Sequence, residues 1–371
     1  MRDVTEPLLR DGPYAFARAT PAEAEEINRL LAENPMEGRI RVSLEHAPDP
    51  FAADFGLSEN HATILARHRD GEAVGYCERT TWQAFVNGAP TQLPYLGALR
   101  VATAHRNRIR VLRGGFAALR DTAREGELPF ALTSIAEDNA PARRLLTAGI
   151  DGLPRYTELG RYVTLFLRAR RASLPEGLRD GRADDLPRIA ELLSRVGRAR
   201  QFAPVWSKER LAALGESGLR PDDFLLIEEG GDLIACAALW DQSPRRQAVV
   251  RGYQGGLGRL RLFANALGPL TGLPRLPAVG EQIGQAAVSH LAALDGRHVA
   301  PLLAGLRSRA ARRGIGTLFL GLPADDSALQ AIRKRMRAVE LTTRLYAVHW
   351  PEIPPPALDP ALPVHPEAGL M

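Results

Sequence analysis

Apolar residues change their spacing along this chain in a regular order, and that order predicts its elements. In 16–31, FARATPAEAEEINRLL, Ile27, Leu30 and Leu31 recur at helical spacing behind Thr20, Pro21 and Glu23. A threonine cap, a proline in the first turn and a glutamate three residues after the cap form a capping box, so a helix starts there. NPMEGRIRVSLEHAPDPF breaks that helix and predicts a strand over 40–44. HATILARHRDGEAVGYCERTTWQAF alternates on either side of 69–72, where Asp70-Gly71 is hairpin chemistry, and Asn87-Gly88 makes a second turn. A strand over 92–101 runs into a basic turn and a helix ending near Arg124. PFALTSIA is a strand, EDNAPARRLLTAG a short helix capped near Asp138, and LGRYVTLFLRA a closing strand. Together these predict a mixed α/β unit over 14–170, within the usual size of a domain.

RRASLPEGL reads as a linker, after which the pattern restarts. Residues 16–31 align without gaps on 178–193, LRDGRADDLPRIAELL, matching Ile27 to Ile189 and Leu30-Leu31 to Leu192-Leu193. DGEAVGYC matches GGDLIACA, and GELPFALTSIAEDNAPA lies against GIGTLFLGLPADDSALQ. An internal duplication explains the length better than two unrelated domains, and it sets a second unit at 176–350. The copies differ in two places. The second carries an extra Gly/Leu/Pro-rich stretch at 245–282, and its strand AAVSHLAAL meets the helix VAPLLAGLRSRAARR through DGRH alone, without a basic turn. The tail over 351–371 is proline-rich and predicted to be extended or unfolded.

Composition narrows the function classes. The chain has 371 residues, 45% apolar and 25% charged, which is ordinary for a globular protein too long for one core. No apolar run approaches the roughly 20 residues of a membrane span. The start, MRDVTEPLLRDGPYAF, carries acids and lacks an apolar signal core, so a cytoplasmic protein without a membrane role is expected. Net charge is +5, but 46 of the 48 basic residues are arginine and the 43 acids are interspersed among them. That fits a GC-rich bacterial genome better than a nucleic-acid partner. Cys77 and Cys236 stand alone in apolar runs and read as buried free thiols; neither they nor His61 and His68 have the spacing of a metal site. Ser289, His290 and Asp295 suggest a hydrolase triad only weakly, because strand neighbours point to opposite faces.

The chemistry concentrates in YLGALRV-ATAHRNRIRV-LRGGFAALR, residues 95–120. An apolar strand meets a helix through a turn carrying Arg106, Arg108 and Arg110, with Arg113 one turn on. Unpaired amides at a helix start carry partial positive charge, and guanidinium groups match phosphate oxygens. The stretch therefore reads either as a grip for a phosphate-rich ligand or as a solvated basic helix face.

On these residues the first copy resembles the GNAT superfamily of acyl-CoA-dependent N-acetyltransferases. Its hallmark V-x-P-x-x-[RQ]-x-x-G-x-[GA] spans Val101 to Val111 in this chain, with Thr103 at the proline and Arg106 at the Arg/Gln position. Ile109 and Val111 stand at the glycines, and Asn107 where a further glycine is common. The next family motif, N-x-x-A-x-x-L, matches Asn139, Ala142 and Leu145, while Leu146 stands where a tyrosine often follows. The resemblance implies two tandem GNAT-like domains, the C-terminal one degenerate, each a mostly antiparallel, splayed mixed sheet flanked by helices. It also implies one site at most, in the N-terminal copy, moving an acetyl group from acetyl-CoA to an amine of a small molecule or peptide. Backbone at Leu99, Arg100 and Val101 would hold the pantetheine arm; Arg106, Asn107, Arg108, Ile109, Arg110, Val111 and Asn139 would surround the phosphates. No metal is implied.

Acyl transfer needs a neutral amine, a polarised carbonyl and a proton for the leaving thiolate. Glu78, on the strand beside the central one, is the candidate base, or else a solvent-facing residue. Tyr156 and Tyr162 are candidate acids in place of the missing tyrosine, although the alternation around Tyr162 equally suits core packing. A rival reading is a silent CoA-binding or protein-interaction module on the same frame.

Overall fold

The computed structural model describes residues 7–36, 38–52, 55–271 and 274–371. Residues 1–6 of the acidic start, Glu37 in the segment leading to the 40–44 strand, and two residues of the 245–282 stretch lie outside these. The first half contains β1 (Leu9–Asp11), β2 (Tyr14–Arg18), α1 (Ala24–Glu33), β3 (Ile40–Glu45), β4 (Asn60–His68), β5 (Ala73–Val86), β6 (Ala89–Val101), α2 (Ile109–Arg120), β7 (Phe130–Ala136), α3 (Ala140–Thr147) and β8 (Arg155–Arg168). The second contains β9 (Leu178–Asp180), α4 (Leu186–Gly197), α5 (Lys208–Ala213), β10 (Phe224–Glu229), β11 (Asp232–Trp240), β12 (Gln247–Tyr253), α6 (Leu257–Thr271), β13 (Gln285–Ala293), α7 (Val299–Arg312), β14 (Thr317–Pro323), α8 (Ser327–Arg335) and β15 (Ala338–His349).

The repeat seen in the sequence is a repeat of local structure. The Thr20 amide and hydroxyl both donate to the Glu23 carboxylate, and in the second half the Arg182 amide donates to Asp185. Each contact opens a short 3-10 turn that runs into α1 or α4. The Asn87-Gly88 hairpin between β5 and β6 has both residues at positive φ, 51° and 79°, as a two-residue turn with right-handed strand twist requires.

Thirteen strands among the described residues form one sheet, in the order β1-β2-β4-β5-β6-β7-β15-β8-β14-β13-β11-β10-β9. The halves exchange their last strands. β15 pairs antiparallel with β7, β8 pairs antiparallel with β14, and β8 and β15 pair with each other at the centre. The exchange reaches the cores: Tyr346 of β15 is buried with Phe16, Val111 and Phe116 under α2, while Val163, Leu165 and Leu167 of β8 are buried with Leu302, Leu303 and Leu306 of α7. Helix α2 lies so close to the sheet that a Cβ at Gly114 would meet the Phe16 ring at 2.1 Å. Helix α1 packs on the opposite face, where Ile27, Leu30 and Leu31 cover Tyr76.

Two parts depart from the sequence-based expectation. Part of the 245–282 stretch is β12, which crosses to the first half and pairs with β3, placing Arg251 on Ser43 at 3.0 Å. The 351–371 tail is folded, with Val364, His365 and Leu370 packed into the molecule and a 3-10 turn at Ala368–Leu370. Its prolines satisfy no ladder, so no strand period marks it, but its backbone is tied by Gln201, whose amide donates to Pro363 and whose carbonyl accepts from His365.

Candidate active site

The two central parallel strands of the first half part company midway. β6 and β7 are joined through Gln92, whose carbonyl accepts from Leu128, and through the pair Tyr95–Leu132. Above that point Thr133 donates to the Leu96 carbonyl at 2.7 Å, and β7 then pairs only with β15. β6 bends away at a bulge: Glu78 faces Gly97 and Tyr76 faces Arg100, so Ala98 and Leu99 share one partner position. Ala98 takes φ +54°, a left-handed conformation that a non-glycine residue holds only where packing imposes it. The β6 edge from Gly97 to Val101 therefore faces β7 with no ladder between them, a wedge into which an extended ligand can add as a strand does.

At the end of that edge the chain passes through a 3-10 turn, Thr103–His105, into α2. Arg106, Asn107, Arg108 and Arg110 are exposed. No side chain caps α2, and its first turn holds no acid. The amides of Asn107, Ile109 and Arg110 meet no acceptor among the described residues, whereas Arg108 and Val111 donate to His105 and Arg108. Ile109 and Val111 do not block these amides, because both side chains pack inward; Val111 is 3% exposed and touches Gly75. A loop without the expected glycines can thus still present three amide donors and several guanidiniums to phosphate oxygens. Arg106 leans back on Asn34 at 3.4 Å, Arg110 lies 3.8 Å from Asp11, and Arg113 donates to the Asp151 carbonyl.

Across the bulge, on the face that carries α1, lies a polar cluster. The Tyr76 hydroxyl donates to Glu78, whose side chain keeps 13% of its surface open to solvent. His46, just after β3, sits with Nδ1 3.8 Å from Glu78 and without a hydrogen-bond partner. Burial holds His46 down at about 4, against the raising effect of Glu78, so its imidazole is neutral at pH 7. Burial, reinforced by Glu78, pushes the Tyr76 hydroxyl well above its ordinary value and keeps it a donor. Arg100 completes the group, its guanidinium donating to the Leu99 carbonyl beside the bulge. Nothing in the sequence singles out His46; a lone histidine after a strand has no pattern, and only the fold brings it to Glu78.

The remaining sequence candidates stand outside this polar cluster. Tyr156 is on the α2 face, edge-on to Phe116 and Tyr346, with burial raising its hydroxyl. Tyr162 is on the exchanged strand β8, fully buried, donating to the Pro366 carbonyl of the tail at 2.6 Å. Neither is brought to Glu78. Asn139, not Asp138, is the cap of α3, its side chain accepting from the Ala142 amide at 3.2 Å. Glu137 pairs with Arg161 and Arg344.

The second half repeats the wedge and fills it. β13 pairs β14 over three residues only, and its bulge again holds a non-glycine at positive φ, His290 at +54°. By register Ala238 stands where Glu78 does, Cys236 where Tyr76 does, and Ala292 where Arg100 does. The left-handed turn at His290 brings its Nδ1 to 2.9 Å from Ser289, which strand alternation argued against; Asp295 caps the Arg297 amide instead of joining them. The tail lies in the wedge. Glu367 accepts from the His290 amide at the bulge, and Gly369 accepts from Gln242. The space left beside it is about 40 Å³, enough for a few waters.

A sheet whose central parallel strands splay at a bulge, with an uncapped helix following the bulged strand, is a specific architecture, and its frame occurs twice in this molecule. The structure of Saccharomyces cerevisiae N-myristoyltransferase with bound myristoyl-CoA is similar over 93% of this chain and 84% of that one, with a TM-score of 0.59 at 12% identity. A GCN5-related N-acetyltransferase from Sphaerobacter thermophilus is similar over 95% of this chain and 99% of that one, with a TM-score of 0.53 at 15% identity. The chain has the GNAT fold. At these identities the likeness is one of architecture. No protein-family sequence model matches the chain, and no curated protein sequence is similar to it. The GNAT frame of the first half carries the open wedge and the arginine loop; the GNAT frame of the second half carries neither.

Proposed function

We propose that the protein is an acyl-CoA-dependent N-acyltransferase, with acetyl-CoA as donor and its one working site in the first half. The observation that carries this reading is the unpaired, bulged edge of β6 ending at an exposed arginine loop, with Glu78 directly across the bulge. The Gly97–Val101 edge would hold the pantetheine arm; the amides of Asn107, Ile109 and Arg110, with Arg106, Arg108 and Arg110, would hold the phosphates. In the reaction the amine nitrogen bonds to the thioester carbonyl carbon, the carbon–sulfur bond breaks, and the proton leaving the amine passes to Glu78, with neutral His46 beside it. The thiolate takes its proton from solvent or from Tyr156, which packs in the cluster of Cys77, Leu96 and Leu99 beside the bulge; Tyr162 lies away, on the exchanged strand β8. Holding the two reactants in line supplies much of the rate, about 7–11 kcal/mol in well-oriented cases.

The acceptor is an amine of a small molecule or peptide. One neighbouring fold was solved with myristoyl-CoA and another is an N-acetyltransferase by name, so acyl length is the variable to test. Titration calorimetry with CoA and acetyl-CoA, followed by thiol release with acetyl- and myristoyl-CoA across an amine and peptide panel, tests the proposal. Absence of CoA binding at near-millimolar ligand overturns it. Binding without thiol release across the panel favours the silent CoA-binding module, a reading for which the engagement of Glu78 by the Tyr76 hydroxyl speaks.

A further inference from the structure

Helix α6 is built inside out. Arg261, Ala264, Asn265 and Gly268 face the protein, where the Asn265 side chain clasps Leu276 through both its amide and its carbonyl. Leu260, Phe263, Leu267 and Leu270 recur at i, i+3, i+7 and i+10 and so form one stripe pointing away from the protein. Leu260 is 59%, Phe263 66% and Leu270 85% exposed, and Leu262 on the flank is 71% exposed. Large apolar side chains held out in a contiguous row mark an interaction surface.

Charge decides what covers it. From Gln254 to Gly280 the sequence holds three arginines and no carboxylate. Arg275 is neutralised by Glu281 and Arg261 turns inward to the Leu276 carbonyl, but Arg259 is exposed and borders the apolar stripe. A fourth arginine, Arg39, is exposed where its carbonyl receives the Gln254 amide at the start of this stretch. An apolar row bordered by Arg259, in a stretch free of acids and beside the exposed Arg39, fits an interface that is oily within and anionic at its surface. At 15 residues α6 is too short to cross a bilayer, and no helix among the described residues is long and apolar enough to do so. We propose that α6 docks the protein, lying flat, on anionic lipid surfaces. The sequence alone predicts no membrane role, because the apolar run is short and its exposure is decided only by the fold.

Co-sedimentation of the full chain with vesicles of phosphatidylcholine, with and without phosphatidylglycerol, tests this at low and high salt. Binding is expected to the anionic vesicles and to weaken with salt. Phe263→Ser/Leu270→Ser should reduce it about tenfold or more, and Arg259→Gln about fivefold. These side chains are exposed, so thermal unfolding of the variants should match the parent protein. Failure of the parent to bind anionic vesicles, or equal binding by the double serine variant, overturns the proposal. So does light scattering that finds a dimer which the double variant dissociates, in a protein that ignores vesicles.

Discussion

The two wedges of this molecule share a frame and differ in everything a ligand would meet. Both have a bulge with a left-handed residue, Ala98 in one and His290 in the other, and both are followed by a helix. In the first, the first turn of the helix holds no acid and is lined by arginines. In the second, Asp295 caps the turn, and Arg297 and His298 lie against Glu229. In the first, Glu78, Tyr76 and Arg100 surround the bulge; in the second, Ala238, Cys236 and Ala292 do, and a carboxylate of the protein's own tail takes the bulge amide. The frame alone thus does not make a site: a wedge is a vacancy in backbone hydrogen bonding, which either an external ligand or the protein itself has to satisfy.

The largest expected difference lies in turnover. Glu78→Gln keeps an acceptor for Tyr76 but removes the proposed base, and should lower kcat by about 10²–10⁴-fold with CoA affinity kept. The second half offers no equivalent residue to remove. A Glu78→Gln protein that releases thiol at the parental rate would take the chemistry out of the first wedge.

Next is a pH effect confined to the second wedge. Burial raises Glu367 to about 7 from an ordinary 4.5, with the His290 and Gly369 amides and Arg200 opposing. A raised acid favours the protonated folded state, so its contribution is whole below about 4.5 and lost as pH climbs to 7, a span of about 3 kcal/mol. Burial holds His290 down at about 3, which costs stability in the opposite direction, as pH falls below 6.5. Glu367→Gln leaves the histidine unchanged, so the difference in thermal stability between variant and parent should grow in the variant's favour from pH 4 to pH 8. A difference flat with pH would mean that Glu367 is ionised in its seat.

Gly321→Ala probes the same plug sterically. Its Cβ would stand 2.4 Å from the Tyr162 ring and 2.6 Å from Ala368, so the tail or the tyrosine has to move. The expected cost is about 1–3 kcal/mol in denaturant unfolding, with CoA affinity at the first wedge unchanged.

How much of this is legible in the sequence follows from the range of the signals involved. Capping at Thr20, the hairpins at Asp70-Gly71 and Asn87-Gly88, and the duplication rest on neighbours in sequence, and all appear in the fold. The arginine loop is legible because charge and the strand-to-helix change fall within twenty residues. The exchange of β8 and β15 is not: both are apolar strands at the end of a repeat, and nothing local says which sheet receives them. The folding of the tail is hidden for the same reason, since its seat is made by Gln201, Tyr162 and His290, far away in the chain. His46 stays invisible until β12 and β3 pair and set it beside Glu78. At the loop, Ile109 and Val111 occupy glycine positions of the family pattern, and only the helix phase reveals that their side chains point inward.

The last prediction is the sharpest test of the comparison, because it removes an arginine beside the helix start in each copy, and in the second copy the expected effect on CoA binding is nil. Arg108 is the residue before α2, exposed, and α2 has no acid in its first turn. Removing one charge-assisted contact to a phosphate costs about 1.5–3 kcal/mol, so Arg108→Ala should weaken CoA binding about tenfold or more by calorimetry. Arg297 stands just before α7 and already has Glu229 and Asp295 as partners. It is an exposed ion pair worth little to stability, and Arg297→Ala should leave CoA affinity within error of the parent. Equal losses in both would mean that CoA binds outside the first wedge, and the arginine loop would then be no more than a solvated face of α2.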